Sequence, residues 1–156
     1  MAGLCLGGHN PAMSIARLPH KLRRFGALSF ADKWLLLRAV SWLAVARVWL
    51  LVAPFRHVAT RLSGDSEHKD VDPVLLQRIR AAVSAAGANV PWRSDCFPQA
   101  IAARALLRSY GYASTIHLGV EKPNASELAG HAWLSCGDAI VTGGEDLDRY
   151  VEVHRL

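Results

Sequence analysis

The chain is expected to form an α+β fold, a helix packed on an antiparallel sheet with a helical N-terminal extension, and three observations predict it. Three helix-forming runs lie before Gly111. Short segments that alternate β-branched and apolar residues follow it. Gly137-Asp138, a tight-turn dipeptide, joins two of these segments and implies neighbouring antiparallel strands.

Residues 1–29 read as irregular, because Pro11, Pro19 and Gly26 break any long element. Ser29, with Asp32 three residues on, is an N-cap signal leading into the apolar run Trp34 to Ala53, and Pro54 ends it. The run is as long as a membrane span, but Arg38 and Arg47 lie inside it and point to opposite sides on a helical period. Three fates are open to it: packing on this protein's own core or a partner, lying in a membrane interface, or crossing a bilayer. Residues 63–73 are polar with glycine and proline and read as a linker, so an N-terminal helical region is placed at 1–64 and a second domain at 70–156.

In the second domain Asp72 caps a helix from Pro73 to Ala86, with Val74, Ile79 and Val83 as its apolar contacts and Gly87 as its end. Residues 88–93 are extended. Pro98 suits the first turn of the next helix, which runs from Cys96 to Ser109 and closes at Gly111, a residue suited to the left-handed position. Its cap is Asp95 or Ser94. Strands follow at 113–120, 129–136 and 139–142, with a turn or loop at 122–126.

With 156 residues, 51% of them hydrophobic and 20% charged, the chain can bury a core. Its net charge of +5 is concentrated in the first half, around His20-Lys21-Leu22-Arg23-Arg24, Arg56 and Arg61, while Glu145, Asp146, Asp148 and Glu152 make the C-terminus acidic. The basic residues are not interleaved with aromatics and show no zinc-finger spacing, which argues against nucleic acid. The three cysteines, Cys5, Cys96 and Cys136, form no C-x-x-C pair, so a reducing cytoplasm is expected and a disulfide framework is not. Met1 to Leu6 lacks the pattern of a signal peptide. No metal or other cofactor is expected, since no close ligand pairing joins the cysteines and histidines.

Chemistry is expected at Cys96. A sulfur at the start of a helix sits at the positive end of the dipole, which favours the thiolate nucleophile. Its base should be a histidine. His9, His20, His57, His68 and His154 read as surface residues, whereas His117 and His131 fall on strands. His131 has the better context, with Gly130 and Ala132 leaving room for the ring and Trp133 on the same sheet face. With Gly137-Asp138 as turn residues, Cys136 pairs with Ala139, Leu134 with Val141, and His131 falls opposite Gly144. A carboxylate orienting His131 is then expected at 145–146. Asp146 is preferred and Glu145 is the alternative. Cys136 reads as a core thiol. Asn89, Trp92 and Gln99 are candidates for an oxyanion donor beside the Cys96 backbone N–H.

The run Cys96-Phe97-Pro98-Gln99-Ala100, the helix end Ala105-Leu106-Leu107-Arg108 with Gly111, the strand His117-Leu118-Gly119-Val120 and the segment Gly130-His131-Ala132-Trp133-Leu134 together resemble a known family. They are similar to the transglutaminase-like (papain-like) cysteine peptidases of lasso-peptide biosynthesis, the B proteins of that pathway, in the stand-alone form of their C-terminal half. The resemblance covers about residues 70–156, and the basic and apolar stretch before it also looks like that family's N-terminal region. It implies a Cys–His–Asp triad that cuts leader from core in a ribosomally made precursor, so that an asparagine-synthetase-like cyclase can close a macrolactam. Cys96 and His131 match the nucleophile and base directly. At the place of the family's aspartate the chain has Gly143-Gly144, which leaves Asp146 as the inferred acid. The resemblance also implies a small separate leader-recognition protein as partner. Transglutaminase-like acyl transfer to an amine, or a non-catalytic interaction module docking through residues 34–53, are the rival expectations.

Overall fold

The computed structural model describes residues 28–53, 57, 71–121 and 130–156. Helices α1 (Phe30–Val52), α2 (Pro73–Gly87) and α3 (Cys96–Ser109) are followed by strands β1 (Thr115–Glu121), β2 (Gly130–Cys136), β3 (Ala139–Thr142) and β4 (Tyr150–Arg155). The strands form one antiparallel sheet in the order β3-β2-β1-β4. This is the expected α+β fold. The readings of the irregular start, of the Pro54 stop, of the polar residues 63–70 and of the turn at 122–126 lie outside the described residues.

α3 is the centre of the molecule. It packs against β1, β2 and β3 on one side and against α1 and α2 on the other. Phe97, Pro98, Ala100, Ile101, Ala102, Ala103, Arg104, Leu106 and Leu107 are all buried, so apolar surface runs round almost its full circumference. The alanines let neighbouring backbones approach closely, and Leu43, Ile79, Val83, Ile116 and Leu134 close around it. Arg104 is the exception in this core. Its guanidinium donates to the Leu156 carbonyl at 2.7 Å, and Leu156 exchanges backbone hydrogen bonds with Ile116. Burial and then the charge of Arg108 pull the Arg104 guanidinium below its ordinary pKa.

The helix caps follow the sequence. Ser29 Oγ accepts from Asp32 N at 3.1 Å, and Asp72 Oδ1 accepts from Val74 N at 2.9 Å. In α2, Ile79 and Val83 are fully buried as expected, but Val74 is exposed; Ala82 and Ala86 complete the contact stripe instead. Gly111 has φ 81, and Tyr112 N bonds back to Leu107 O at 3.1 Å to close α3.

α1 is long and apolar enough to cross a membrane by length and composition. One stripe of it, Leu35, Ala39, Leu43 and Ala46, is nonetheless buried against the other helices. Arg38, inside the apolar run, donates to Ser109 Oγ at 2.6 Å and lies over the Tyr110 ring at 5.5 Å, tying α1 to the end of α3. Asp32 pairs with Arg78 of α2 at 2.8 Å. The opposite face leaves Phe30, Trp34, Leu37, Val45, Val48 and Val52 exposed.

Two differences from the sequence reading concern the sheet. β4 is a strand that the reading does not contain, since it treats the C-terminal residues as an acidic stretch. The β2–β3 hairpin turns as expected, with Cys136 opposite Ala139, but Val141 is an extra residue on β3, so Leu134 pairs with Thr142 and not with Val141.

Leu106→Ala should lower stability by about 2–5 kcal/mol, because its side chain has no exposed surface and its neighbours are fixed on every side. Val74→Ala, at an exposed position, should change it by less than about 0.5 kcal/mol. Urea denaturation followed by circular dichroism checks both; equal effects would contradict this packing.

Candidate active site

Cys96 is the first residue of α3. Asp95 stands at the N-cap in extended backbone but makes no side-chain cap bond, and its carboxylate lies 3.8 Å from Arg93. The N–H groups of the first turn therefore donate no hydrogen bond to the side chain of their own cap residue. Gln99, one turn on, donates through Nε2 to the Ser94 carbonyl at 2.7 Å. A Cβ on Gly87 would come within 2.9 Å of that same nitrogen, so Gln99 is wedged between the end of α2 and the approach to Cys96. Among the three candidate oxyanion donors, the Gln99 and Asn89 side-chain amides donate to main-chain carbonyls, Asn89 to Ala85 O at 2.7 Å. The Trp92 indole N–H is buried without an acceptor, as is the Ser94 hydroxyl.

His131 is the second residue of β2 and lies opposite Gly119 of β1. Its Nε2 is 2.8 Å from the Gly143 carbonyl oxygen, which can only accept, so this nitrogen carries the proton. The ring stacks on Tyr150 of β4 at 4.6 Å and on Trp133 at 6.1 Å. Trp133 in turn needs glycine diagonally across from it on β1: a Cβ on Gly119 would meet its ring at 2.8 Å.

Cys96 and His131 each stand at the end of their element away from the contact between Cys136 and Ala113. The far end of β2 is anchored near the end of α3, where the Cys136 thiol donates to the Ala113 carbonyl at 3.0 Å. From there α3 runs back about 20 Å to Cys96 and β2 about 17 Å to His131. Strand alternation puts Ala132, Leu134 and Cys136 into the helical core and the His131, Trp133 and Ser135 side chains on the other face of the sheet. Cys136 is the core thiol expected of it, and burial raises its pKa.

Asp146, the inferred acid, is exposed in left-handed backbone at φ 54, at the N-cap of a short 3-10 turn (Leu147–Arg149). Glu145 is exposed as well. The partner of His131 Nε2 is thus a main-chain carbonyl rather than a carboxylate from 145–146. β3 ends at Thr142, so the hairpin pairing from which a carboxylate at 145–146 was expected beside His131 does not extend that far. Neither the Gly143 carbonyl nor the Tyr150 stack was visible in residue types. The place of Gly143, where the family pattern has its acid, was the signal.

His117, the other strand histidine, is built into a separate polar row. Its Nδ1 is 3.0 Å from Glu152, its Nε2 is 2.8 Å from Ser135 Oγ, and its ring stacks on Trp133 at 5.3 Å. Hydrogen bonding from Arg155 first, and from His117 as well, holds the Glu152 carboxyl below its usual range. A depressed folded-state pKa stabilises the fold above the unfolded value of about 4.3, and that contribution is lost as pH falls through the folded value. Among the described residues, no three of His, Cys, Asp and Glu are grouped to hold a metal ion.

Glu152→Gln should therefore lower Tm at neutral pH, and the gap to the wild type should narrow as pH falls below the unfolded-state value of about 4.3 and close below the folded one. Thermal unfolding across that range measures it; a gap that stays constant would show that the carboxylate pairing does not contribute.

The comparison with known families agrees with this architecture. The model of the Transglutaminase-like superfamily matches residues 34–155, a span that includes α1 together with Cys96 and His131. No curated protein and no solved structure matches the chain. Members of this superfamily are typically cysteine-based enzymes, and the matched span holds a helix that begins at a cysteine. The chain belongs to the transglutaminase-like superfamily.

Proposed function

We propose that the protein is a cysteine peptidase that removes the leader from a ribosomally made lasso-peptide precursor. The observation that carries this reading is a histidine whose tautomer the fold fixes, in a chain whose central helix starts at a cysteine. The Gly143 bond places the neutral ring's proton on Nε2 and leaves Nδ1 with the lone pair a base needs. The residue pattern around Cys96 and His131 narrows the reading from superfamily to lasso-peptide processing.

In this mechanism His131 Nδ1 takes the Cys96 thiol proton as the sulfur attacks the scissile carbonyl. Hydrogen bonds between such groups commonly tighten only once substrate is bound. The Cys96 backbone N–H at the helix start and the buried Trp92 indole N–H, which has no acceptor, are the donors proposed for the oxyanion. The tetrahedral intermediate collapses to a thioester as the leaving amine, the new N-terminus of the core, receives the proton from His131. Water, deprotonated by the same ring, then hydrolyses the thioester, freeing the leader's carboxylate and restoring the thiol. A small leader-binding protein would present the cut site, and an asparagine-synthetase-like cyclase would consume the freed core. The exposed apolar face of α1, with Trp34 and Leu37, is the surface proposed for contact with such a partner or with a membrane in the cytoplasm.

Cys96→Ala and His131→Ala should each lower leader removal by more than about 1,000-fold while leaving the fold intact. The assay is mass spectrometry of a precursor peptide encoded beside the gene, incubated with its small leader-binding protein. Leader and core whose masses sum to the precursor plus one water are expected. A leader joined to an added amine would establish acyl transfer instead, and undiminished cleavage by Cys96→Ala would overturn the proposal.

A further inference from the structure

We infer that the group orienting His131 is the main-chain carbonyl of Gly143, in the place where a carboxylate from 145–146 was expected. The inference rests on the reading of Cys96 and His131 as nucleophile and base and concerns how that base is held.

Four observations converge on Gly143. Its carbonyl oxygen lies 2.8 Å from His131 Nε2, a full hydrogen bond. It has φ +69, where side chains are strained, and a Cβ placed on it would come within 2.4 Å of the Ala132 carbonyl and 3.0 Å of the Trp133 Cα. Both are main-chain atoms of the strand that carries His131, so no side chain, an aspartate included, fits at this position on this backbone. Gly143 is the first residue beyond β3, past the last residue paired to β2, so its carbonyl lies outside that ladder. Finally, the Tyr150 and Trp133 rings hold the imidazole plane from the side chains of two strands. Glu145 and Asp146, the two carboxylates expected from the sequence to orient His131, are both exposed.

The chemical consequence follows from the acceptor's charge. A carbonyl selects the Nε2–H tautomer as well as a carboxylate does, so Nδ1 remains the base nitrogen. Being neutral, it stabilises the imidazolium less, because hydrogen bonds between two ionised groups are the stronger kind. Gly143 is a positioning residue in this scheme: it acts through His131 and never meets the substrate.

The test reads the histidine directly and needs no substrate. Nitrogen-15 NMR of the full-length protein, with the His131 signals assigned by comparison with His131→Gln, gives tautomer and titration for the wild type, Asp146→Asn and Glu145→Gln. The Nε2–H tautomer is expected in all three, with the His131 pKa moving by less than about half a unit, whereas loss of a contacting carboxylate would lower it by about 1–3 units. An Nδ1–H tautomer, or a drop of more than about half a unit in either variant, would overturn the inference. Because the readout is independent of turnover, it separates failure of this inference from failure of the peptidase reading, which leader cleavage by Cys96→Ala decides.

Discussion

The structure depends on the burial of α3 from both sides. A helix enclosed between a sheet and two further helices can make close contact only where its side chains are small or well shaped, and alanines at 100, 102 and 103 with Leu106 and Leu107 meet that demand. The enclosure has a consequence for chemistry. The helix cannot tilt or fray at its first turn without disturbing the core, because Phe97 and Pro98, directly after Cys96, are themselves buried. A sulfur at the head of such a helix keeps its place relative to the dipole, and rigid placement is what a nucleophile requires.

The sheet meets a matching demand from the other layer. β2 lies between β1 and β3, and its alternation divides labour between faces: Ala132, Leu134 and Cys136 build the core, while His131, Trp133 and Ser135 carry polar and aromatic chemistry. The outer row is continuous. Tyr150, His131, Trp133 and His117 stack in sequence across three strands, and Ser135 and Glu152 fix the far end by hydrogen bonds to His117. β4 is necessary for this row, since it contributes both Tyr150 and Glu152.

Much of this was legible in the residues because it is locally encoded. Caps at Ser29 and Asp72, proline in the first turn of α3, the left-handed glycine at 111 and the Gly137-Asp138 turn each act over a few positions, and the helices begin and end where those signals stand. β4 was not legible, because a sequence of exposed residues with acidic neighbours carries little periodic signal, and its pairing with β1 is set by a partner about thirty residues away in the chain. The one-residue bulge at Val141 was likewise invisible: no residue type marks it, yet it shifts everything after it by one place against β2. The site was half legible. Side chains can be read from a sequence, so Cys96 and His131 stood out; a main-chain carbonyl cannot, so the role of Gly143 emerged only from the fold. The two arginines within α1 show the same limit, since Arg38 counted against a membrane span in the sequence and is used in the structure to hold the end of α3.

The central claim is that Cys96 is a nucleophile activated by its place at the head of α3. The most direct measurement is the rate of iodoacetamide alkylation of the intact protein as a function of pH, resolved by peptide mass spectrometry into Cys96 and Cys136. The account predicts that Cys96 reacts at neutral pH faster than an unstructured cysteine with its pKa near 8.5, while Cys136, buried and with its thiol pushed up, lags behind both. A Cys96 that reacts no faster than an ordinary thiol at neutral pH would contradict it.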